Sequence, residues 1–328
     1  MKEHWLVGVD VGGTSIKMAV INRNGNILHK WSIPTNKNDG GKYIIKDIVR
    51  SLEETLKQHG LKREDLAGIG VGVPGPVNYE EGTISRSVNI GWPEHFPVRK
   101  DLERESGLPV FVENDANCAA LGEMWKGSGK GARDLIFVTL GTGVGGGVIA
   151  GGKLVRGVNG AAGEIGHITS VPEGGHPCNC GKNGCLETIA SARGIVRLAG
   201  EKRKIFAEKG KRTLLPELFT AKDVFDCARS GDSLCLSVVD EVSSYLGLAL
   251  ANTGNVLNPE KIIIGGGVSA AGEILLTHVQ KYFEKYAFLS VKMSTELALA
   301  SLGNDAGIIG AAFLVENGKT AGSVRYKK

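Results

Sequence analysis

A buried strand that ends in glycines and turns straight back into a second strand occurs twice in this sequence. The first glycine turn contains Gly12 and Gly13, and the second, Gly141–Gly147, follows about 130 residues later. Apolar runs on either side predict the paired strands: Leu6–Asp10 with Ile16–Ile21, and Ile136–Leu140 with Val148–Val155. A repeat of this kind predicts two related domains.

Helices and further strands alternate after each pair. Helical spacing of apolar residues predicts helices over Tyr43–His59 and Leu234–Leu257, and continuous apolar runs predict strands over Ile69–Val73 and Ile262–Ile264. Glycine supplies 48 of 328 residues without a three-residue period, and 42% of the residues are hydrophobic. Collagen-like and disordered chains are therefore excluded, and we expect an α/β fold.

The length suits two domains, and the repeat indicates where they divide. We expect a smaller N-terminal α/β domain over residues 1–117 and a larger α/β domain over 118–305, which would carry the cysteine-rich loop described below. The last helix, from about 306 to 328, is expected to pack back on the smaller domain. Since no long linker separates the halves, we expect the boundary to be a hinge.

Charge and apolar runs give broad expectations about partners and location. The net charge of +4 does not argue for nucleic-acid binding, and the basic run Lys202–Arg212 is typical of the solvated face of a helix. No segment of the sequence is expected to approach the length of apolar run that a membrane span requires. We expect a cytoplasmic protein that binds neither nucleic acid nor membrane.

The first glycine turn, DVGGTSIK, brings together residue types that serve a nucleotide. Glycines let backbone N–H groups approach phosphate oxygens, a threonine hydroxyl can donate to them, and an aspartate at a strand end can hold Mg²⁺ directly or through water. A plain hairpin turn is the alternative interpretation. The candidate cofactor-binding residues here are Asp10, Gly12, Gly13, Thr14 and Lys17.

The second glycine turn, LGTGVGGGV, repeats the device, with Gly141, Thr142 and Gly143 as candidates. It also matches a dinucleotide fingerprint, but that fingerprint needs a helix directly after the turn, and here strand-forming residues follow. The glycines Gly265, Gly266 and Gly267 end a predicted strand before a helix, where an adenosine could bind; close packing of the helix on the strand is the alternative.

Asp115 lies in the sequence ENDAN, where a predicted strand ends and a helix begins. An aspartate there is typical of a helix N-cap. The functional alternative is a general base that accepts a proton from a substrate hydroxyl while the glycine turns hold a phosphoryl group in line.

Three acidic or imidazole groups and three cysteines follow the second turn. Glu164, His167 and Glu187 suit several adjacent sugar hydroxyls. One nitrogen and three sulfurs, from His167, Cys178, Cys180 and Cys185, form a set typical of a closed, structural zinc site. Chance packing of reduced thiols is the alternative, which we disfavour because the loop has too few apolar residues to bury them.

Six segments of the chain together resemble the ROK family of bacterial sugar kinases and repressors, its glucokinases most of all. They read DVGGT, ENDAN, LGTGVGGG, GEIGH, CNCGKNGCLE and IIIGGGVS. The resemblance implies two actin-like ATPase (ribonuclease H-like) domains with a cleft between them and ATP-dependent transfer to the 6-hydroxyl of glucose. It also implies Asp115 as base, a structural Zn²⁺, Mg²⁺ as a cofactor, and a homodimer or homotetramer. The implied sugar contacts are Gly75, Asn89, Asn114, Asp115, Glu164, His167 and Glu187.

Several alternatives stay open at this stage. Another hexose, such as N-acetylmannosamine, N-acetylglucosamine or fructose, would meet the same motifs, and polyphosphate could replace ATP as donor. A non-catalytic sugar sensor is disfavoured by intact Asp10 and Asp115. Repressors of the family carry a helix-turn-helix before the first glycine turn, where this sequence has nine residues, so we expect a kinase.

Overall fold

The computed structural model describes residues 4–85, 87 and 90–320 of the chain. The chain divides into two compact units. The first unit takes Met1–Gly131, Leu154–Ala162 and Asn304–Lys328, and the second unit takes Ala132–Lys153 and Gly163–Gly303. The division into domains at residues 117 and 118 stays a prediction, because compactness assigns chain segments and does not identify the parts that move as domains.

The strands and helices alternate along the chain much as the apolar patterns indicate. In chain order, the strands are β1 (Trp5–Val11), β2 (Ser15–Ile21), β3 (Ile27–Pro34), β4 (Leu66–Val73), β5 (Val77–Asn78), β6 (Thr83–Ile84), β7 (Val110–Asn114), β8 (Leu135–Leu140), β9 (Val144–Ala150), β10 (Lys153–Leu154), β11 (Lys261–Gly265) and β12 (Glu296–Leu299). The helices are α1 (Asn38–Gly41), α2 (Ile44–Gln58), α3 (Val98–Ser106), α4 (Asp115–Lys126), α5 (Glu187–Ala190), α6 (Ala192–Glu208), α7 (Ala221–Arg229), α8 (Ser233–Leu257), α9 (Glu273–Tyr286), α10 (Leu289–Ser294) and α11 (Ala306–Thr320).

Each unit is built on a five-stranded sheet, and the two sheets share one topology. The first sheet has the order β3-β2-β1-β4-β7, and the second has the order β10-β9-β8-β11-β12. In both sheets, the first strand pairs antiparallel with the second, the third strand lies beyond the second, and the last two strands add in parallel on the other side of the first. The duplicated order confirms the prediction of two related α/β halves.

Parallel strands at the centre of the first sheet are covered on both faces, which is why β4 reads as a continuous run of apolar residues and glycine. Helices α2 and α3 supply apolar side chains to one core. Helix α11 lies so close to the sheet that a Cβ on Gly8 or Gly70 would overlap the carbonyl groups of Ile308 and Ala311. These glycines therefore serve helix–sheet packing and not a ligand.

The second unit is organised around α8, whose buried residues join the largest apolar cluster of the molecule's described part. Taken alone, α8 is long and apolar enough to cross a membrane, so the expectation that no segment approaches this is wrong for α8. Within the fold, however, residues such as Leu246 and Leu250 are fully buried against neighbouring helices. Burial in this core explains the apolar composition of the helix.

The basic run Lys202–Arg212 begins within α6 and continues past its end at Glu208. Several of its cations serve internal contacts. The Nζ atom of Lys202 lies 2.7 Å from a carboxylate oxygen of Glu241, and Arg203 donates to the Pro216 carbonyl at 2.7 Å. The expectation of a helical, solvated position is confirmed for the first half of the run.

Candidate functional site

The first glycine turn joins β1 to β2 and is closed by its own backbone. The N–H of Gly12 donates to the Ser15 carbonyl at 3.0 Å, and a Cβ on Gly12 would meet that same oxygen. Thr35, at the end of β3, braces the turn from outside: its hydroxyl donates to the Gly12 carbonyl at 2.7 Å, and its N–H donates to the Thr14 carbonyl at 3.0 Å. Thr14 itself is exposed.

Asp10 lies at the carboxyl end of β1, opposite Lys17 on β2. Its carboxylate oxygen is 3.7 Å from the Lys17 Nζ. Burial raises the pKa of Asp10, and the positive charge of Lys17 acts in the opposite direction. The carboxylate also packs against Gly307 in the first turn of α11, where a Cβ would come within 3.1 Å of it. A helix N-terminus favours a negative charge, so Lys17 and the start of α11 both act against the effect of burial on this acid.

The junction of β7 and α4 shows which residue caps the helix. Asn114 is the N-cap: its Oδ1 accepts from the N–H groups of Ala116 at 2.9 Å and Asn117 at 3.1 Å. The N-cap interpretation of Asp115 is therefore wrong, and Asp115 is the first residue inside the helix. Its Oδ1 accepts from the Ala116 N–H at 2.8 Å.

Of the other residues predicted to contact the sugar, Gly75 follows β4 and is bonded to this junction, and Asn89 lies outside the described part of the chain. The side-chain amide of Asn114 donates to the Gly75 carbonyl at 3.2 Å, so Gly75, Asn114 and Asp115 are brought together. Gly75 has a φ of 109°, a conformation that favours glycine.

The second glycine turn joins β8 to β9, and it is tied to a carboxylate from a distant part of the chain. The N–H of Gly141 donates to the Gly143 carbonyl at 2.9 Å, and the N–H of Val144 donates to Glu187 Oε2 at 3.0 Å. A Cβ on Gly143 would overlap the Glu187 carboxylate. The turn continues as strand β9, which confirms that it lacks the helix of a dinucleotide fingerprint.

Four predicted metal ligands come together beside this turn. One ligand atom each from His167, Cys178, Cys180 and Cys185 lies within 4.8 Å of the others. The Cys178 Sγ is 3.6 Å from His167 Nδ1, and the Cys180 Sγ is 3.5 Å from the Cys185 Sγ. Tetrahedral zinc, with bonds of about 2.3 Å to sulfur and about 2.0 Å to nitrogen, sets neighbouring ligand atoms about 3.5–3.8 Å apart. The donor set and its spacing fit zinc.

Burial differs among the three thiols. Cys178 and Cys185 are buried and Cys180 is exposed, so the expectation that the loop could not bury its thiols is wrong for two of them. Burial raises the pKa of the Cys178 thiol to about 12. A hydrogen bond from the Lys182 backbone N–H lowers the pKa of Cys180. Any metal bound here must therefore displace a proton from Cys178.

His167 connects this cluster with Glu164. Its Nδ1 faces Cys178, while its Nε2 lies 3.8 Å from a carboxylate oxygen of Glu164. Gly166 lies against β9, where a Cβ would overlap the Val144 carbonyl. Glu187 in turn lies 3.8 Å from the Cys178 Sγ through its Oε1. The second unit therefore assembles the predicted acids, the imidazole, the thiols and the second glycine turn in one place.

A cavity of about 610 Å³ opens beside the second glycine turn within the same unit. Thr142 and Gly267 lie on its wall together with Phe225 of α7. Gly265 and Gly266 do not line it: a Cβ on them would meet Phe137 and the Leu140 backbone, respectively, so they permit close packing. The remaining lining residues are Gly141, Ala192, Thr220, Ala221, Lys222, Asp226, Arg229, Val268, Ala270 and Ala271.

Sequence reasoning missed residues that support the site through distant contacts. Thr35 and the residues of α7 that line the cavity do not belong to any sequence motif that would have indicated their role. Glu113 is 2% exposed and is bonded by Arg156 Nε at 2.6 Å. The sequence signal that could have identified Glu113 is an acidic residue near the end of a predicted buried strand, because a buried acid requires a partner.

Comparison with known proteins places these features in context. The ROK family pattern matches residues 6–318. A glucokinase of Halalkalibacterium halodurans is 53% identical over 96% of both chains, and an N-acetylmannosamine kinase of Shigella flexneri is 32% identical over 96% of this chain and 99% of its own. The crystal structure of a ROK family glucokinase from Streptomyces griseus, in complex with glucose and AMPPNP, has a TM-score of 0.78 at 35% identity and covers 95% of this chain and 99% of its own.

Proposed function

Because the chain belongs to the ROK family, we propose that it is an ATP-dependent glucokinase that transfers the γ-phosphoryl group to the 6-hydroxyl of glucose. The 53% identity to a glucokinase over nearly the full length supports glucose as the substrate. The observation that carries the proposal is the hydrogen bond from Val144 to Glu187, because it joins a phosphate-type glycine turn to a carboxylate suited to sugar hydroxyls.

The base we propose is Asp115. Since Asn114 caps α4, the Asp115 carboxylate is not needed as the cap, and it begins a helix whose N-terminus favours its ionised form. An ionised carboxylate can accept the proton of the attacking hydroxyl as the new O–P bond forms. Asn114 and Gly75, joined by the hydrogen bond between them, would hold the sugar on this side together with Asn89.

On the second unit we propose that Glu164, His167 and Glu187 bind the sugar hydroxyls. Carboxylates and an imidazole accept and donate hydrogen bonds in fixed directions, which suits a ring with adjacent hydroxyls. His167 would use Nε2 for this purpose, the nitrogen that faces Glu164 and not the cysteines.

ATP would be shared between the glycine turns and the cavity. We propose that each turn binds phosphate oxygens where its backbone is bare of side chains, at Gly12 and Gly13 in the first and at Gly141 and Gly143 in the second, while the N–H groups of Gly12 and Gly141 keep the turns closed. Thr14, Thr142 and Lys17 would add hydroxyl and ammonium donors. The adenosine would occupy the 610 Å³ cavity, whose wall includes Gly267 and Phe225. Asp10 would hold Mg²⁺, which offsets the charge on the phosphates when bound. Gly265 and Gly266 would support the cavity indirectly, through packing.

The cluster of His167, Cys178, Cys180 and Cys185 is proposed to hold a structural zinc ion. Four protein ligands close the coordination sphere, so zinc would fix the loop and not activate water. By fixing His167 and the loop before Glu187, it would set the position of two sugar contacts. We also propose a cytoplasmic homodimer or homotetramer, which rests on the family resemblance.

The proposal is tested with the purified chain, MgATP and a panel of hexoses in a coupled assay. Glucose should give the highest kcat/KM, and a preference for N-acetylmannosamine or a donor preference for polyphosphate would overturn the substrate assignment. Asp115→Asn should keep glucose binding and lower kcat by at least about a hundredfold. The matched control is Asp47→Asn on α2, whose carboxylate pairs with Arg50 and has no part in the proposed site, and which should leave kcat unchanged.

A further inference from the structure

Between two stretches of the second unit, the chain passes once through the first unit as residues Leu154–Ala162, which we call the connecting segment. Gly160 lies against the first unit so closely that a Cβ would overlap the Val77 carbonyl. Arg156 extends from the same segment and places its guanidinium 3.7 Å above the ring of Tyr79. The connecting segment is thus held on the first unit at two points.

Arg156 also reaches a buried carboxylate. Its Nε donates to Glu113 Oε2 at 2.6 Å, and Glu113 is 2% exposed. A charge this deeply buried needs a compensating charge and several hydrogen bonds, and Arg156 is the cation that the structure places on it. The short, charge-assisted bond and the stacked guanidinium together fix the direction of the arginine.

The other oxygen of Glu113 organises the start of α4. Its Oε1 accepts from the Asn114 N–H at 3.0 Å and from the Asn117 side-chain amide at 3.0 Å. Asn114 and Asn117 flank the turn that carries Asp115. One carboxylate therefore joins the connecting segment, through Arg156, to the backbone on both sides of the residue proposed as the base.

The direction of the chain gives this link its significance. The connecting segment ends at Ala162, and two residues later the chain reaches Glu164, the first of the proposed sugar contacts on the second unit. The connecting segment and the Asp115 turn both belong to the first unit, so the link through Glu113 acts within one compact unit, next to the point where the chain leaves it.

We propose that Arg156 is a positioning residue, which through Glu113 holds the Asp115 turn in a fixed place relative to the chain that leads into Glu164. This inference rests on the proposed function for Asp115 and Glu164, whereas the link itself, from Arg156 through Glu113 to the start of α4, does not. Arg156 touches neither substrate nor reacting atoms in this scheme. Its effect is exerted on kcat, because a misplacement of about 1 Å in a catalytic group lowers turnover by about a hundredfold.

Four variants test the role: Arg156→Met, Arg156→Lys, Glu113→Gln and the double variant Glu113→Gln/Arg156→Met. Arg156→Met should lower kcat by about a hundredfold while the KM for ATP changes by less than about threefold. Arg156→Lys keeps the charge but loses the planar stack, and should recover about tenfold of that loss. The control is Arg50→Met, which removes an exposed arginine paired with Asp47 and should change neither value.

The double variant separates positioning from a merely structural role. Arg156→Met alone leaves a buried charge unpaired and should lower the melting temperature by several degrees, and the double variant removes that charge and should restore it. A positioning residue predicts that kcat stays low in the double variant although stability returns. Recovery of kcat together with the melting temperature would overturn the proposal.

Hydrogen exchange measured by mass spectrometry gives a result that does not depend on activity. Peptides over residues 110–118 and 154–162 should exchange faster in Arg156→Met and be unchanged in Arg50→Met. Unchanged exchange in both variants would overturn the link itself. Failure of the wild-type chain to phosphorylate any hexose would instead overturn the proposed function, while the exchange result would still decide whether the link exists.

Discussion

The two units carry the same strand order, yet they support their glycine turns in different ways. The first turn is closed by its own residues and by Thr35, whose hydroxyl bonds the Gly12 carbonyl. The second is bonded by Glu187, which lies 43 residues away in sequence and also contacts Cys178. The duplicated fold thus supplies two equivalent turns, and the surroundings decide that one is supported locally and the other through the cysteine loop.

This difference predicts how far the effect of a substitution extends from each turn. A change near the first turn affects a hairpin held by its own backbone and by the neighbouring Thr35. A change in the cysteine loop can reach the second turn through Glu187, because the same carboxylate contacts both. Three substitutions test this contrast, from the largest expected effect to the smallest.

Gly143→Ala is expected to disrupt the contact between the second turn and Glu187. A methyl group there would overlap the Glu187 carboxylate, which must then leave its bond to Val144. We expect kcat/KM for glucose to fall by about a hundredfold, because a sugar contact and a phosphate turn are displaced together. Gly200→Ala in α6 is the matched control, since its Cβ would meet nothing within 4 Å, and it should retain full activity. Equal activity of the two variants would show that Glu187 and the turn act separately.

Cys180→Ser tests whether the metal loop supports the second unit alone. We expect bound zinc to fall from about one equivalent to nearly none, with the KM for glucose rising about tenfold. Cys227→Ser, outside the cluster, is the control for the loss of a thiol. Full zinc content by elemental analysis in Cys180→Ser would contradict the ligand set.

Zinc affinity should also fall as the pH is lowered. Burial raises the pKa of Cys178 to about 12, so the free thiol is protonated at neutral pH and must lose its proton when it binds metal. Competition with a chelator at pH 6 and pH 8 measures this, and tighter retention at pH 6 would argue against thiolate ligation.

Asp10→Asn tests the charge held at the first turn and should have the smallest effect on the fold. Burial raises the folded-state pKa of Asp10 above its unfolded value, so the ionised form costs stability above that pKa and the cost vanishes as the pH falls below it. The variant should therefore melt a few degrees higher at pH 7 and no higher at pH 3. Thermal scans at both pH values measure this. A lower melting temperature at pH 7 would mean that Lys17 and α11 more than compensate for burial.

The strand pairs around both glycine turns, the helix α8 and the cysteine loop were all predictable from local patterns, because periodicity and turn chemistry are properties of neighbouring residues. The metal set was predictable too, since His167 and its three cysteines lie within 19 residues of chain. Asp115 shows where such reasoning stops. Sequence alone allowed it to be the cap of α4, whereas the structure assigns that role to Asn114, because a cap is defined by backbone angles and not by residue type.

By itself, then, the sequence determined the duplicated α/β fold and the positions of the glycine turns. It also determined which acidic, imidazole and thiol side chains lie near those turns in the chain. Only the tertiary structure decided which glycines admit a packed neighbour, as Gly8 and Gly70 do, and which lie beside a functional carboxylate, as Gly143 does. It alone placed Arg156 on Glu113. The physical reason is that a residue's local preference depends on its chain neighbours, while a buried charge or a bare backbone is satisfied by partners that folding brings from distant segments.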